Sequence, residues 1–244
     1  MKPEIDGRKN HSEKRLLTVD NIKVAYGHAV VLPDISLKID RGEMVFIVGR
    51  NGAGKTTLLK TIAGFLTPME GKITFDGEDT GKALPEQMAQ KGVRYVFQDK
   101  RVFTQLTVRE NIQLAAYPTG EKLDSAIDKV VQIYPPITQF LDNKAGGLSG
   151  GQRQLLLIGR ALIGNPRLLL IDEPTEGLAA GIIKEVFKVL EKIKGSVSMI
   201  IVEQNLAVVC RLADRVYPMK EGRIPTVFTE QKEIQDRDQL EQFL

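Results

Sequence analysis

Short apolar runs alternate with amphipathic stretches along the 244 residues, and the pattern changes character as the chain proceeds. LLTVDNIKVAYG and VLPDISLKIDRGE alternate apolar and polar positions and carry turn residues, which predicts antiparallel strands with one covered face. MVFIVG, at 44–49, is apolar throughout, as a central strand buried on both faces must be. KITFDGEDT predicts another strand and turn, and VRYVFQD a strand ending near Gln98.

From 107 to about 142 the strand pattern stops. TVRENIQLAAY and EKLDSAIDKVVQIY have helical spacing. Thr107, with Glu110 three residues on, is a capping-box signature, and Pro135 with Pro136 ends the second helix. GGLSGGQRQLLLIGRALIG starts a further helix at a glycine-rich turn, and LLLIDEP, SMIIVEQ and DRVYPM are three more strands with helices between them. Strands alternating with helices predict an α/β fold with a mainly parallel sheet, here with an N-terminal antiparallel β subdomain and a helical insertion. The polar-rich TEQKEIQDRDQLEQFL predicts a C-terminal helix on the domain edge, and the polar start, MKPEIDGRKNHSEK, a flexible tail over 1–14. One domain over 15–244 results, with 15–98 and 165–244 as its core and about 99–164 as a helical subdomain.

Composition narrows this only a little. Hydrophobic residues make up 42% and charged ones 27%, an ordinary globular balance that allows a core without staples. A formal net charge of +3 gives no case for a nucleic-acid partner. The single cysteine, Cys210, excludes an internal disulfide, sits in an apolar stretch and reads as inert packing. No run approaches the roughly 18 uncharged apolar residues that span a bilayer, so the chain by itself is expected in the cytoplasm.

Two stretches carry chemistry. GRNGAGKTT matches G-x-x-x-x-G-K-[ST] between a buried strand and the apolar helical run TTLLKTIAGF. Glycines let such a loop curl until successive N–H groups point inward at phosphate oxygens, and the helix N-terminus adds its dipole. Gly49, Arg50, Asn51, Gly52, Ala53, Gly54, Lys55, Thr56 and Thr57 are therefore the candidate phosphate cradle, with Lys55 reaching the β- and γ-phosphates and the Thr56 hydroxyl a Mg²⁺ ligand. The second stretch, LLLIDEPTEG, runs a buried strand into two adjacent acids. In a phosphate-loop fold Asp172 supplies the Mg²⁺ shell through water, and Glu173 faces the space beyond the γ-phosphate as general base.

LSGGQ, at 148–152, is the third signal. With the other two it makes the chain resemble the ATP-binding subunits of ABC transporters from about Leu16 to Ile224. That resemblance implies a phosphate-loop NTPase core of RecA-like type and ATP with Mg²⁺ as cofactors. In that family the LSGGQ of one subunit caps the γ-phosphate held by the other. Ser149, Gly150, Gly151 and Gln152 would then contact ATP across a head-to-tail dimer with the same or a paralogous subunit, and the serine-led helix start suits an anion. Tyr26, in VAYG, matches the aromatic on which the family stacks adenine. Gln98, in YVFQD, matches the glutamine that contacts Mg²⁺ and the attacking water.

Two positions depart from the family pattern. A histidine that contacts the γ-phosphate is common where this chain has Gln204, an amide that donates a hydrogen bond but carries no charge. An aspartate is usual where Ala179 stands. VEQN at 202–205 resembles one ATPase subunit of the branched-chain amino acid importers, and DEPTEG equally resembles the urea and short-chain amide importers. Membrane permease subunits, and through them a solute receptor, are the implied partners on the inner face of the cell membrane. Phe103 and Leu106 are the candidate apolar contacts near 98–106. A soluble non-transport ABC ATPase and a module that holds ATP without turnover are the competing readings.

Overall fold

A computed structural model describes residues 14–244. The expected tail lies outside the described residues except for Lys14, whose carbonyl accepts from the Arg41 N–H at 2.7 Å. The N-terminal part is an antiparallel sheet of β1 (Arg15–Tyr26), β2 (Ala29–Asp40), β4 (Glu70–Phe75) and β5 (Glu78–Asp79), ordered β2-β1-β4-β5. A parallel sheet is built from β3 (Met44–Val48), β6 (Val93–Val96), β7 (Leu168–Asp172), β8 (Ser198–Glu203) and β9 (Arg215–Pro218), ordered β6-β7-β8-β3-β9. Every residue of β3, β7 and β8 is buried. Both faces of those strands are covered, which is why their sequences are apolar without alternation. One face packs toward the antiparallel sheet through Val45, Ile47, Leu170 and Ile200, beside Leu32 and Phe75. The other, with Phe46, Ile171 and Ile201, packs against helices.

The helices are α1 (Lys55–Ile62), α2 (Pro85–Gln90), α3 (Val108–Ala116), α4 (Leu123–Ile133), α5 (Gly150–Ala161), α6 (Ala180–Ile193) and α7 (Leu206–Leu212), followed by α8 (Gln231–Gln235) and α9 (Arg237–Glu241). Helices α3, α4 and α5 enclose a separate apolar cluster of Val108, Ile112, Ala126, Val130, Ile137 and Leu156. Thr107 caps α3 reciprocally with Glu110, and the chain leaves α4 into a short 3₁₀ turn at Pro135–Phe140. The C-terminal stretch is two short helices where the sequence pattern predicts one: Asp236 ends α8 and its carboxylate accepts from the Gln239 N–H at 3.1 Å, capping α9. Ile234 and Leu240 are its buried anchors. Cys210 is half-buried and packs beside the helix-side core, where burial pushes its thiol pKa up.

Candidate nucleotide site

Strand β3 ends at Val48 and the chain turns through 49–54 into α1. This turn is intolerant of side chains at two points, by backbone contact at Gly49 and by side-chain contact and a left-handed backbone at Gly54. A Cβ on Gly49 would lie 2.2 Å from the Met219 carbonyl oxygen, and one on Gly54, at φ +101°, 2.7 Å from Leu32. Lys55 opens α1 and is 4% exposed. Its ammonium donates to the Gly49 carbonyl at 2.7 Å and the Arg50 carbonyl at 3.0 Å, and lies 3.4 Å from the Glu173 carboxylate. A buried cation is tolerated when it is paired and hydrogen-bonded, and here both conditions hold.

Strand β7 lies between β6 and β8 and delivers both acids to the mouth of this turn. The Thr56 hydroxyl donates to Asp172 Oδ1 at 3.2 Å, and the Tyr95 hydroxyl to Asp172 Oδ2 at 2.9 Å. Burial pushes the Asp172 carboxyl up and the adjacent Glu173 adds to this, while Thr56, Tyr95 and Lys55 pull it back. Tyr95 is pushed above the ordinary phenol range, first by burial and then by the negative Asp172 it donates to. Glu173 sits at φ 47°, in the left-handed region unusual for a residue with a side chain. Its carboxylate accepts from Gln98 Nε2 at 3.1 Å on Oε2 and from Gln204 Nε2 at 3.0 Å on Oε1. Gln98 also donates to Glu176 at 2.7 Å, and Gln204 to Asn51 Oδ1 at 2.6 Å.

Lys55, Thr56, Gln98 and Glu173 line an open cleft of about 410 Å³, and Asp172 and Gln204 join it from behind through their bonds to Thr56 and Glu173. Ser149–Gln152 do not line it. They form the start of α5, with Ser149 and Gly150 exposed and Gly151 buried, where the Ser149 hydroxyl accepts from the Gln152 N–H at 3.2 Å and the Gln152 side chain accepts from the Ser149 N–H at 2.8 Å. Gly151 is pinned there because a Cβ would meet Ile182 at 2.3 Å. Tyr26 is half-exposed at the end of β1, paired with Ala29 across the hairpin, and is not part of the cleft lining. Ala179 precedes α6 and makes no side-chain cap.

Sequence reasoning missed Tyr95, Asn51 as a partner of Gln204, and Glu203. The Glu203 carboxylate is 2% exposed and accepts from the Thr175 hydroxyl and three backbone N–H groups. Burial raises its pKa, and the bonds from Thr175, Asn205 and Gln204 oppose the rise. A second groove, about 850 Å³, lies between the parallel-sheet part and the helical layer, with Phe97, Asp99, Arg101, Pro118 and Arg160 on its walls. Phe103 is exposed beside it with its ring under Arg160, while Leu106 is half-buried.

Comparison with known proteins agrees with this geometry. The family model described as "ABC transporter" matches residues 32–176. The chain is 37% identical over 211 residues to the high-affinity branched-chain amino acid transport ATP-binding protein BraG of Pseudomonas aeruginosa, covering 86% of this chain and 91% of that one. It is 32% identical to the probable branched-chain amino acid transport ATP-binding protein LivG of Methanocaldococcus jannaschii, over 86% and 88% of the two chains. Among solved structures, the ADP conformation of the ATP-binding cassette MJ1267 superposes with a TM-score of 0.80 at 30% identity, over 93% of this chain and 97% of that one. A nucleotide-free cassette gives 0.81 at 28% identity, over 94% and 99%. Phosphate loop, paired acids and a serine-led helix thus occur together on this fold because the chain belongs to the ABC transporter family, as one of its ATPase subunits.

Proposed function

We propose that the chain binds ATP with Mg²⁺ in the 49–57 cradle, hydrolyses it with Glu173 as general base, and powers a membrane importer of the branched-chain amino acid type. The observation that carries the reading is the setting of Glu173: one carboxylate faces Lys55, Gln98 and Gln204 together, at the mouth of the phosphate loop. A base so placed can orient a water and take its proton, with Gln98 and Gln204 holding the carboxylate in position. The donor set fits Mg²⁺, a hard ion that takes few protein oxygens and keeps phosphate and water ligands. Thr56 and Asp172 supply a hydroxyl and a carboxylate side by side, and among the described residues no cluster of three or more His, Cys, Asp or Glu side chains forms a protein-only metal cage. Mg²⁺ would neutralise charge developing on the phosphates; Lys55 shares that role.

The exposed start of α5 fits a second subunit. Ser149, Gly150 and Gln152 would meet the triphosphate of a partner cassette, as the dimeric architecture of a related cassette bound to ADP and phosphate supports. Tyr26 would stack on adenine. Permease subunits would dock in the groove beside Phe97 and Phe103 and hold the chain at the inner face of the membrane, since no helix among the described residues is long and apolar enough to cross one. Branched-chain amino acids are the proposed cargo because BraG and LivG are named for them. Glu173→Gln tests the core of the reading. Nucleotide binding is retained, turnover falls by about 10²–10⁴-fold, and ATP-bound dimer accumulates on size exclusion. Equal turnover in variant and wild type removes Glu173 as base.

A further inference from the structure

Glu203 has no part in the chemistry above, yet it is the most completely coordinated buried carboxylate near the site. Strands β7 and β8 pair in parallel with Asp172 opposite Val202, so the segments that follow them leave the sheet side by side. The first carries Glu173 and Thr175; the second carries Gln204 and Asn205. Glu203 stands between them, with one oxygen serving each. Oε1 accepts from the Thr175 N–H at 3.1 Å and the Thr175 hydroxyl at 2.6 Å. Oε2 accepts from the Gln204 and Asn205 N–H groups, each at 2.9 Å. The Gln204 side chain then closes a ring by donating to Glu173 at 3.0 Å.

We propose that Glu203 is a positioning residue that locks the two segments together, so that Gln204 and Glu173 are presented to the γ-phosphate as one unit. It rests on the proposed role of Glu173 and goes beyond it, because it assigns the relative placement of base and sensor to a residue that touches neither substrate nor metal. The chemistry requires a carboxylate. All four partners are donors, and only a group with two acceptor oxygens satisfies both pairs. Glutamine has nearly the same shape but turns an NH₂ toward one pair, leaving two buried donors facing a donor. Asn51, Gln98 and Lys55 hold Glu173 and Gln204 from the cleft side; beneath them the Glu173 N–H donates to the Val202 carbonyl at 3.0 Å, and the Glu203 carboxylate adds the side-chain hold that reaches Thr175, Gln204 and Asn205 together.

The test uses the full chain with Glu203→Gln and, separately, Thr175→Val, which removes one donor from the far segment. Turnover and amide exchange are read together. Both variants are expected to lower kcat about tenfold or more with the KM for ATP within about twofold, since cradle residues are untouched. Exchange should quicken at both 173–177 and 203–206 in Glu203→Gln. In Thr175→Val it should quicken at 203–206 as well, although no atom there was changed. Unaltered kcat in Glu203→Gln overturns the proposal, as does wild-type exchange at 203–206 in Thr175→Val, or a fall in kcat matched by an equal loss of ATP binding. The exchange arm needs no turnover, so these results are separable from failure of the Glu173 assignment, which Glu173→Gln reads alone.

Discussion

Tyr95→Phe removes one oxygen and leaves everything else in place. The ring stays stacked on Phe97, with centroids 4.1 Å apart, and edge-on to Phe65 at 6.2 Å. What is lost is the hydroxyl donated to Asp172 Oδ2 at 2.9 Å. Asp172 is 1% exposed and already disfavoured as an ion by burial and by Glu173, so its remaining donor, the Thr56 hydroxyl at 3.2 Å, cannot replace the lost one. A hydrogen bond to a charged group contributes about 1.5–3 kcal/mol. Outer partners that orient a metal ligand change metal affinity by about 10–100-fold when removed. The two figures agree, since tenfold is 1.4 kcal/mol.

Mn²⁺ binding followed by electron paramagnetic resonance, with a non-hydrolysable ATP analogue present, reads the metal directly. The expected result is a metal dissociation constant raised about 10–100-fold, with affinity for the analogue in EDTA unchanged. Thermal unfolding of the ligand-free chain should shift by only a few degrees, about 2–4 °C per kcal/mol for a domain of this size. An unchanged metal constant would mean that Tyr95 does not orient Asp172, and the assignment of Asp172 to the Mg²⁺ shell would lose its structural support.

Other perturbations test the frame around the site. Gly49→Ala places a Cβ 2.2 Å from the Met219 carbonyl; the turn must shift off β9, and both ATP affinity and the melting temperature should fall, the latter by several degrees for a loss of about 1–3 kcal/mol. Thr107→Ala removes the reciprocal cap of α3 and should cost about 1 kcal/mol in urea unfolding while ATP turnover by the isolated chain stays at the wild-type rate. Asp76 joins the two sheets by pairing with Arg41 and Arg167, and the Arg167 hydrogen bond chiefly holds its carboxyl below the usual range. A carboxyl depressed on folding stabilises above its unfolded pKa and loses that contribution as pH falls through its lower folded value. Asp76→Asn should therefore cost about 1 kcal/mol at pH 7, screened as the pair is, with the gap to wild type closing below about pH 4.

Legibility in the sequence followed the range of the interactions. Local signals were sufficient for the Thr107 cap, the end of α4 at Pro135 and the buried character of β3, β7 and β8, because each depends on residues within a turn or two or on a strand's own composition. The nine residues GRNGAGKTT of the loop and the pair Asp172–Glu173 were readable for the same reason: their geometry is set by the strand and turn that carry them. Tyr95 was not readable. It reaches Asp172 across 77 residues of sequence only because β6 lies next to β7 with Tyr95 opposite Leu170, and strand order is not written in apolar periodicity. Asn51 meeting Gln204 across 153 residues has the same origin, since β3 and β8 are neighbours. The C-terminal break at Asp236 was local and was hidden by polar residues that suit a cap and a helix surface alike.

The absence of an imidazole at Gln204 changes what controls the site. A histidine there would titrate near pH 6.5 and could switch its contact to a carboxylate with the state of the solution. The Gln204 amide has no such transition, so its 3.0 Å bond to Glu173 and 2.6 Å bond to Asn51 depend on position alone. Position is supplied from below, where Glu203 fixes the Gln204 and Asn205 N–H groups and the Thr175 turn at once. Among the described residues Lys55 is the only cation paired with Glu173; Gln98 and Gln204 contribute dipoles. In the proposed reaction such a site would stabilise charge with fewer ions and more fixed geometry, and preorganised dipoles act only while their frame is rigid. A buried carboxylate that satisfies four donors on two segments is the kind of frame a neutral sensor requires.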